Sequence, residues 1–537
     1  MNNYVPYHVH SDLSNGVTNI DSVTKYKEYI KRAAECGMTA FGFAEHGSVF
    51  EWWHKKNDIE AAGMKYLHAT EAYVTFSLDE KIRDNYHCVL IARNLDGVFE
   101  LNELLSKSFC RDDNHFYYVP RISFEELCNT SCNILVTSAC IGGPLAKAED
   151  DVFKAFLGFF IDNKDRCYFE IGHHLDPRQI AYNQALYRLS MQYKVPLIAG
   201  TDTHCLNETH VEGRKILQLS KNIRFSDEDN WDLTFKTYEE LVAMYEKQRA
   251  IPKSVYLQAI DRTNELADRV EPFEIDRKPK YPHIFDEPEK VFREKIDNAV
   301  ENHPYILKRH KPEDVKRVID SEFEVYKKTG AIDFMLLQTY LREWEHKNGI
   351  FCGPGRGSVS GSMIAYALGI TSMDSMAFDL NFSRFMNAER VSLADIDSDY
   401  GPKDRDRVKE FLLKDKMGLD NIQTSEIITF NTIAEKGAVR DVGRALQIPL
   451  EKIAVITKAL DDGRRMDAEY PELFKYVDIV TDTIVSIGSH TSGVLVSDLP
   501  IRKLVGMCST SGSDYQVSML NMKELDDLSL VKLDILG

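Results

Sequence analysis

The sequence of 537 residues lacks the features of a secreted or membrane-spanning protein. Its first residues, M-N-N-Y-V-P-Y-H, contain neither the basic start nor the apolar run of a signal peptide. No apolar stretch approaches the roughly 20 residues that span a bilayer. The ten cysteines are scattered and have no C-x-x-C spacing, which is typical of a reduced compartment. We therefore expect a cytoplasmic protein without contact to membranes.

Positive charge is also scarce, because 66 lysines and arginines stand against 84 acidic residues and give a net charge of −18. Proteins that bind nucleic acid usually present a basic surface. Net charge does not describe the distribution of charge, however, and carboxylates that hold metal ions add negative charge that the bound cations offset. The acidic balance therefore does not exclude nucleic-acid binding. The length suits about two to four domains.

The most informative segment is V-S-L-A-D-I-D-S-D-Y at positions 391–400, in which Asp395, Asp397 and Asp399 recur with a period of two. In a β-strand these residues lie on the same face. Like charges side by side repel each other unless a cation lies between them. The segment is therefore either a solvated acidic edge or a site for divalent metal ions.

A glycine-rich segment, G-P-G-R-G-S at 353–358, precedes an apolar helical pattern. Backbone N–H groups at the start of a helix, with Arg356 beside them, form an anion site, although an ordinary loop–helix junction is the alternative. The G-K-[ST] ending of a Walker A loop is absent. Arg384 and Arg390 lie between this glycine-rich segment and the acidic segment, close to the latter. This combination suits a metal-assisted reaction on a polyphosphate, in which two divalent ions assist the attacking and leaving oxygens.

The N-terminal half contains a second group of potential ligands, in the segments H-V-H, E-H-G, T-E-A-Y, N-Y-H-C, T-S-A-C and T-D-T-H. They lie at or just beyond short apolar runs such as 40–44, 89–92, 134–137 and 196–200. Such runs, alternating with helical segments, predict the parallel strands of an α/β barrel, with functional side chains at the strand ends. A single histidine there is more often structural, but several with Glu, Asp and Cys indicate a metal site.

Several motifs occur in the order found in bacterial C-family replicative DNA polymerases, the DNA polymerase III alpha subunits, which the chain resembles along nearly its whole length. They are G-P-G-R-G-S-V-S-G-S, R-F-M-N-A-E-R-V-S-L-A-D-I-D-S-D, I-I-T-F-N-T-I-A-E-K-G-A-V-R-D-V-G-R and V-K-L-D-I-L-G. The resemblance implies an α/β multidomain fold. An N-terminal PHP-type (polymerase-and-histidinol-phosphatase) α/β barrel at 1–270 would precede a nucleotidyltransferase-like α+β palm at 271–426 and 493–537. A helical thumb at 427–492 would be inserted into the palm.

The resemblance also implies template-directed DNA synthesis, in which the primer 3′-hydroxyl attacks the alpha phosphate of a deoxynucleoside triphosphate. Asp395, Asp397 and Asp534 would be catalytic and would hold two Mg²⁺ ions, with Asp399 in support. The residues that match the nucleotide-binding positions are Arg356, Gly357, Ser358, Arg384, Arg390 and Lys532. Lys436, Arg440 and Arg444 have the spacing of one helix face at the start of the thumb. They would contact DNA, and a solvated helix face is the alternative.

For the PHP domain, the resemblance implies a three-metal site with nine ligands, which here would hold two or three Zn²⁺ or Mn²⁺ ions. Eight positions match: His8, His10, His46, Glu71, His87, Cys140, Asp202 and His204. The ninth, usually an aspartate in a turn after the H-x-H pair, is Asn15 here, and Asp12 lies nearby. A metal-dependent 3′–5′ exonuclease or phosphoesterase, with the palm as a scaffold, is therefore the alternative function. A purely structural, partner-binding role is a further alternative.

The chain stops three residues after Asp534, whereas C-family polymerases continue with fingers and a region that binds the sliding clamp. We expect a second polypeptide to supply these parts, with an intein junction or a fragment as alternatives. The expected partners are primer–template DNA, deoxynucleoside triphosphates, that second polypeptide and, through it, the sliding clamp. The compartment would be the cytoplasm of a bacterium or of a phage-infected cell.

Overall fold

The computed structural model describes residues 3–79, 81–223, 231–387 and 396–537. The chain forms two compact units. The first consists of Met1–Glu274, Thr429–Gly488 and Val505–Ser509, and the second of Ile275–Ile428, Ser489–Leu504 and Thr510–Gly537. Within the described ranges, every helix is too short or too polar to cross a membrane.

The N-terminal segment alternates strands and helices. Its strands are β1 (Ala40–Phe43), β2 (Lys65–Thr75), β3 (Tyr86–Ala92), β4 (Phe116–Tyr117), β5 (Val119–Ser123), β6 (Ile134–Thr137), β7 (Cys167–Ile171) and β8 (Leu197–Ala199). Its helices are α1 (Tyr26–Glu35), α2 (Trp52–Ala61), α3 (Leu95–Ser108), α4 (Phe124–Cys128), α5 (Pro144–Lys147), α6 (Asp150–Asp162), α7 (Pro177–Tyr193), α8 (Glu208–Ser220), α9 (Tyr238–Gln248) and α10 (Lys253–Asp268). A 3-10 helix, Asp12–Gly16, follows the H-x-H pair.

The remainder of the chain is richer in helix. Its helices are α11 (Pro288–Asn302), α12 (Ile306–Arg309), α13 (Pro312–Lys328), α14 (Ile332–Lys347), α15 (Met363–Ala367), α16 (Pro402–Leu413), α17 (Glu435–Ala445), α18 (Leu450–Asp461), α19 (Pro471–Val480), α20 (Ile501–Leu504) and α21 (Met522–Asp527). Its strands are β9 (Asp397–Asp399), β10 (Gln423–Thr432), β11 (Ile484–Ser497), β12 (Met507–Cys508), β13 (Val517–Ser518) and β14 (Lys532–Leu536). Short 3-10 helices span Gly357–Gly361, Phe382–Arg384 and Lys416–Gly418.

The first unit contains a closed ring of strands. The sheet runs β5-β2-β3-β6-β7-β8, and β1 also pairs with β2. The extended segment at 6–10 closes the ring, because it bonds to both flanking segments. His10 N–H donates to the Thr203 carbonyl at 2.8 Å, and Ala44 N–H donates to the Val9 carbonyl at 2.9 Å. The alternation of strands and helices confirms the α/β fold class predicted from the sequence.

The prediction that all barrel strands are parallel is wrong at β3, which runs antiparallel to both β2 and β6. The pairs β1–β2, β6–β7 and β7–β8 are parallel. An antiparallel strand presents its N-terminal end where its neighbours present their C-terminal ends. His87 therefore reaches the same end of the barrel from the beginning of β3, not from beyond its end.

Helices α17, α18 and α19 lie between β10 and β11 and share a core with the barrel. Buried Val439, Val442 and Val477 form a cluster that includes Ile20 and Leu217 of the N-terminal segment. Residues 429–488 therefore belong to the same compact unit as the barrel. The division of the chain into domains at 1–270, 271–426, 427–492 and 493–537 remains a prediction.

The second unit has a mixed sheet with the strand order β13-β10-β11-β14-β9. Its core is formed by buried residues from α11 to β14, including Phe292, Met335 and Ile535. Helix α13 shows why these helices form where they do. Pro312 occupies its first turn, acidic residues follow in that turn, and Lys327 and Lys328 lie in the last turn. As its spacing predicts, Val315, Ile319 and Tyr326 are buried in the core.

Candidate metal centres

The eight ligands predicted in the barrel converge at one end of it. Strands carry or adjoin them: His46 follows β1, Glu71 lies within β2, His87 lies at the start of β3, Cys140 follows β6, and Asp202 and His204 follow β8. Buried apolar residues such as Leu67, Ile91 and Ile198 hold the strands together. Three overlapping groups of donor atoms result, within each of which all donor atoms lie within 4.8 Å of one another. The groups are His10–Asp21–His46–His204, His8–His10–Glu71–Asp202 and His46–Glu71–His87.

Glu71, from the middle of β2, lies at the centre of this cluster. Its Oε1 is 2.9 Å from Nδ1 of His87 and 3.3 Å from Nε2 of His8. Its Oε2 is 2.9 Å from Nδ1 of His46 and 3.6 Å from Nε2 of His10. One carboxylate therefore faces four imidazoles, and together these side chains would hold metal ions.

Asp202, on the other side of the cluster, also faces several imidazoles. Its Oδ1 is 3.3 Å from Nε2 of His8, 3.4 Å from Nε2 of His10 and 3.1 Å from Nε2 of His204. Asp202 has a backbone φ of 43°, a left-handed conformation that costs free energy for a residue with a side chain. The fold therefore holds this carboxylate in place at a conformational cost.

Several buried donor atoms in the cluster make no well-aligned hydrogen bond among the described residues, namely Nε2 of His8, Nε2 of His10, Nδ1 of His46 and Oε2 of Glu71. The 2.9 Å between the last two atoms is an ion-pair contact without hydrogen-bond alignment. Buried polar atoms are normally satisfied, because leaving them unpaired costs on the order of 1–3 kcal/mol each. Imidazole nitrogens and carboxylate oxygens that point at a common space are a donor set for Zn²⁺ or Mn²⁺. The residues present therefore fit bound metal ions.

Asp21 joins this cluster, although the sequence did not single it out. Its Oδ2 is 2.8 Å from Nδ1 of His204, and its Oδ1 is 3.5 Å from Nε2 of His46. Asn15 turns away instead, since its amide donates to the carbonyls of Ser22 and Ile484, both at 2.7 Å. Asp12 also faces elsewhere and accepts a bond from Ile484 N–H at 3.1 Å.

The fold of the segment from Ser14 to Ser22 explains why Asp21 was not predicted as a ligand from the sequence. The side chain of Asn15 accepts a bond from Asp21 N–H at 2.6 Å and so folds the segment back on itself. Arg214 donates to the Asp21 carbonyl. An acidic residue in N-I-D-S, a few residues after the S-N-G turn, was the available signal. It could have been found only by allowing a longer turn.

The carboxylates of the cluster are in the ionised form that binds metals. Against the effect of burial, however, Asp21, Asp202 and other neighbouring acidic groups raise the pKa values of His8, His46 and His204, so these three imidazoles must release protons when a metal binds. Burial by itself raises the pKa of a carboxyl group, yet His87, His46 and His8 hold the pKa of Glu71 well below its usual range. Asp21 and Asp202 have pKa values well below normal, because contacts with His204 among other histidines outweigh their burial. Burial, helped by His46 and His204, lowers the pKa of His10 to about 4. Ionised carboxylates and a neutral imidazole are the forms that bind metals.

A further layer of side chains orients the ligands. Oε1 of Glu170 lies 2.6 Å from Nδ1 of His8, which leaves Nε2 of that ring free to face the cluster. Tyr7 and Thr137 donate to the other oxygen of Glu170. Glu45 accepts bonds from Ser11 and Ser14, and Lys55 lies 3.4 Å from it. These contacts fix the segment that carries His8 and His10.

Cys140 lies at the edge of the cluster. Its Sγ is 3.8 Å from Oε1 of Glu71 and 3.9 Å from Nδ1 of His87. Burial and the negative charges of Asp202 and Glu71 raise the pKa of its thiol well above the ordinary value. The thiol therefore stays protonated unless a cation binds beside it.

The predicted palm residues lie in the second unit. Strands β9 and β14 are parallel neighbours, and Asp397 is in register with Asp534. Burial and the charge of Asp397 raise the pKa of Asp534, although Lys532 opposes the shift. Arg356 lies against the same strand, with its Nε 3.1 Å from Oδ2 of Asp397. Asp395 and Arg390 lie outside the described residues.

Side chains behind β9 hold it in place. Ser398 turns inward between the two outward-facing aspartates and accepts a bond from Arg342 at 2.6 Å. Arg342 also donates to Glu345 at 2.6 Å, and the Tyr400 hydroxyl donates to Glu345 at 2.6 Å. The acidic strand therefore rests on a buried ion pair, and Asp397 and Asp399 project from its outer face.

The predicted nucleotide-binding residues are placed as follows. Gly357 has a φ of 75°, a conformation that favours glycine, and begins the 3-10 helix in which Ser358 is exposed. Lys532 pairs with Asp526 at 2.5 Å. Arg384 ends another 3-10 helix, is exposed and lines a small cavity with Tyr281. No contact among the described residues brings Arg384 to Asp397.

The three cations predicted to contact DNA lie on α17. Arg440 and Arg444 are exposed, whereas Lys436 is half-buried. Lys436 pairs with Asp461, and Arg444 pairs with Asp441 at 2.5 Å. Two of the three positive charges are therefore already balanced by neighbouring carboxylates, and their role in DNA binding remains a prediction.

Two family models match the chain in tandem. The PHP domain model matches residues 6–174, and the bacterial DNA polymerase III alpha NTPase domain model matches residues 290–537. The DNA polymerase III subunit alpha of Treponema pallidum is 27% identical over 570 residues, which cover 99% of this chain and 47% of that protein. The subunit from Aquifex aeolicus is 28% identical over 610 residues, which cover 99% of this chain and 51% of that protein.

The chain therefore combines a PHP domain with a bacterial DNA polymerase III alpha NTPase domain, and it is similar over nearly its whole length to curated DNA polymerase III alpha subunits. It spans about half the length of these curated relatives. The PHP match includes the predicted ligands from His8 to Cys140 but ends before Asp202 and His204. The closed ring of strands nevertheless brings Asp202 and His204 to the same cluster. The second match includes Arg356, Asp397 and Asp534.

Proposed function

We propose that the chain carries out template-directed DNA synthesis, adding deoxynucleotides to a primer in the 5′-to-3′ direction, as part of a replicative polymerase. The observation that carries this proposal is the register pairing of Asp397 with Asp534 on neighbouring strands. The match of residues 290–537 to the bacterial DNA polymerase III alpha NTPase domain model and the similarity to curated alpha subunits support it. The substrates would be primer–template DNA and deoxynucleoside triphosphates.

The proposed catalytic carboxylates are Asp395, Asp397 and Asp534, which would hold two Mg²⁺ ions. Burial and the charge of Asp397 raise the pKa of Asp534 although Lys532 opposes the shift, which is consistent with an edge where a bound cation would stabilise both carboxylates. Bound Mg²⁺ would stabilise charge on the attacking and leaving oxygens. Arg356, Gly357, Ser358, Arg384, Arg390 and Lys532 would contact the triphosphate.

A primer-extension gel tests this proposal. A 5′-labelled primer–template is incubated with Mg²⁺ and deoxynucleotides, with the remaining polymerase segments of the family supplied on the same or on a second polypeptide, and with a sliding clamp. We expect Asp397→Asn to abolish primer lengthening, because a charged metal ligand is lost. His10→Ala is the matched control at the other centre and should leave lengthening intact. Equal lengthening by wild type and Asp397→Asn would contradict the proposal.

The barrel cluster favours a second activity, a metal-dependent phosphoesterase or 3′–5′ exonuclease with two or three Zn²⁺ or Mn²⁺ ions. Its basis is the set of buried donor atoms without well-aligned hydrogen bonds among the described residues around Glu71 and Asp202. In such a hydrolysis, a water oxygen bonds to phosphorus, the bond from phosphorus to the preceding 3′-oxygen breaks, and that oxygen takes a proton. Bound metal ions would lower the pKa of the attacking water.

The same gel without deoxynucleotides tests the second activity. With Mn²⁺ or Zn²⁺, we expect shortening of a labelled strand that His10→Ala abolishes and Asp397→Asn leaves intact. If both variants shorten the strand as the wild type does, the activity does not belong to the barrel cluster. We further propose that both activities operate in the cytoplasm of a bacterium or of a phage-infected cell, since the similar curated subunits come from bacteria.

A further inference from the structure

A cavity of about 700 Å³ opens directly above the barrel cluster, and its walls contain more than metal ligands. Asp21, Glu71, Asp202 and the histidines form one part of its lining. Another part is aromatic or apolar and consists of Tyr73, Ile141, Leu145, Tyr182, Trp231 and Leu233. A phosphate group alone needs only the metal ligands and a cation. A cavity of this size suits a ligand that carries a flat, apolar part as well.

Trp231 is fixed relative to the metal ligands by the backbone. The carbonyl of Leu233 accepts bonds from the N–H groups of His204 and Cys205, both at 3.0 Å. His204 is a member of the metal cluster, so the segment that carries Trp231 is tied to it. The indole also packs against His174, with ring centroids 4.4 Å apart. Its Nε1 is buried without a hydrogen-bond partner among the described residues.

Two cations lie at the same cavity. Arg178, in the first turn of α7, lines it, and its guanidinium carbon is 5.8 Å from the centroid of the Trp231 ring. Asp176 holds this arginine through a contact of 3.0 Å to Nε. Lys147, the last residue of α5, is exposed and lines the cavity as well. The cavity therefore combines a metal cluster, an aromatic wall and cations that suit phosphate oxygens.

We propose that Trp231 and Arg178 form a nucleotide subsite beside the barrel metal cluster, in which the indole stacks on a terminal base and the guanidinium contacts its phosphate. The proposal rests on the phosphoesterase activity proposed above and names its substrate class, a base-bearing nucleotide at the end of an unpaired strand. Stacking of a base on an aromatic side chain is sequence-tolerant, since every base has a flat face. A paired terminal base must leave its partner before it reaches Trp231.

The test compares two single-stranded, 5′-labelled oligonucleotides of one sequence, with either a normal or an abasic tetrahydrofuran residue at the 3′ end. Removal of the terminal residue by the Mn²⁺-loaded chain is measured as kcat/KM. We expect the wild type to prefer the base-bearing end by about tenfold, which corresponds to about 1.4 kcal/mol of stacking. Trp231→Ala should bring the ratio of the two values close to one, and Trp231→Phe should retain most of the preference.

Tyr118→Ala is the matched control, because Tyr118 is an exposed aromatic residue with Arg83 over its ring at 3.4 Å but does not line the cavity. We expect this variant to keep the wild-type ratio. Arg178→Gln should lower kcat/KM for both ends about equally, since both carry the phosphate. Equal rates of the wild type on the two ends, or an unchanged ratio in Trp231→Ala, would overturn the subsite while leaving the phosphoesterase activity in place.

A binding measurement separates failure of the subsite from failure of the hydrolysis. Tryptophan fluorescence of the Mn²⁺-loaded chain is titrated with thymidine 5′-monophosphate, with deoxyribose 5-phosphate and with inorganic phosphate. Stacking should quench fluorescence with the nucleotide alone, and Trp231→Phe should lose that quenching. A chain that cleaves neither strand but shows this quenching supports the subsite and contradicts the phosphoesterase. Absence of quenching by the nucleotide in the wild type overturns the subsite.

Discussion

The carboxylate of Asp21 stands between His46 and His204, so its charge has a direct effect on metal binding. Asp21→Asn keeps the size of the side chain and removes its charge. We expect the affinity of the barrel for Mn²⁺ to fall at least about tenfold, the scale reached even by substitutions behind the ligands. The metal content of the purified chain, measured by mass spectrometry after dialysis against defined free Mn²⁺, tests this expectation.

Asp12→Asn is the control for this change, because Asp12 is an equally buried aspartate of the same segment that faces the Ile484 backbone. It should leave the metal content as it is. Loss of metal in the Asp12 variant with full content in the Asp21 variant would mean that the cluster has been assigned to the wrong carboxylate.

Among the single residues of the barrel, the sequence predicted eight side chains that the fold does bring together. H-x-H and T-D-T-H are local patterns, in which alternation along extended chain puts both outer residues on one side. Asp21 could not be predicted in this way. Its position depends on how the segment after His10 folds back through Asn15, and such a turn depends on contacts that are remote in the sequence.

Among the elements, helix α13 supplies a buried carboxylate that caps the short helix after the glycine-rich loop. Glu322 accepts bonds from the N–H groups of Met363 and Ile364 at 2.8 and 3.0 Å and from the Ser362 hydroxyl at 2.7 Å. Burial raises its pKa from 4.5 to about 7, although these hydrogen bonds oppose the shift. Between these pH values the folded chain holds the extra proton, and the unfolded chain does not.

Glu322 therefore makes a pH-dependent contribution to stability. This contribution is fully present below about pH 4.5 and is lost as the pH rises through about 7. We expect the free energy of unfolding of the wild type to fall relative to that of Glu322→Gln by up to about 3 kcal/mol across this window. Urea titrations at both ends of the window measure the difference.

Glu324→Gln is the matched control, since Glu324 is exposed on the same helix. The free energy of unfolding of Glu324→Gln should change with pH in the same way as that of the wild type. A constant difference between the wild type and Glu322→Gln over the whole window would show that Glu322 does not titrate there.

The buried ion pair of Arg342 and Glu345 behind β9 should contribute to the stability of the fold. Arg342 and Glu345 are both buried, and each bonds to Tyr400 or Ser398 of the acidic segment. Arg342→Met leaves the Glu345 carboxylate buried without its partner, which costs about 3–5 kcal/mol of unfolding free energy. Removing both charges, in Arg342→Met with Glu345→Leu, should recover most of the loss, as measured by urea denaturation. A double variant that is as unstable as the single one would contradict this account.

The whole molecule contains two compact units, and metal removal should affect them differently. Without a cation, the first unit buries imidazole nitrogens and one oxygen of Glu71 that make no well-aligned hydrogen bond among the described residues. Binding to the folded state alone stabilises by about 2.7 kcal/mol when free metal is a hundred times its Kd. We therefore expect a chelator to lower the Tm of the first unit by several degrees and added Mn²⁺ to restore it.

Calorimetry with and without chelator measures this change. Asp21→Asn should reduce the difference between the two scans, because it weakens the same cluster. If the chelator leaves every transition in place, the barrel cluster does not contribute metal-dependent stability.

The sequence by itself indicated eight side chains that come together in the barrel and the short apolar strands near which they lie. The runs at 40–44, 134–137 and 196–200 correspond to β1, β6 and β8, because apolar content and strand length are local properties. The helical spacing of Val315, Ile319, Phe323 and Tyr326 is likewise a local property, and it marks the face of α13 that lies against the core, where Phe323 is partly buried.

Only the tertiary structure decided the direction of β3, the position of Asp21 beside His204, and the core that α17–α19 share with the barrel. A local pattern shows which side chains share a face, but it does not show which strand lies beside it or in which direction that strand runs. Those choices depend on contacts between distant residues, such as Asn15 with Ile484 and Leu233 with His204. These contacts form only when the chain is folded.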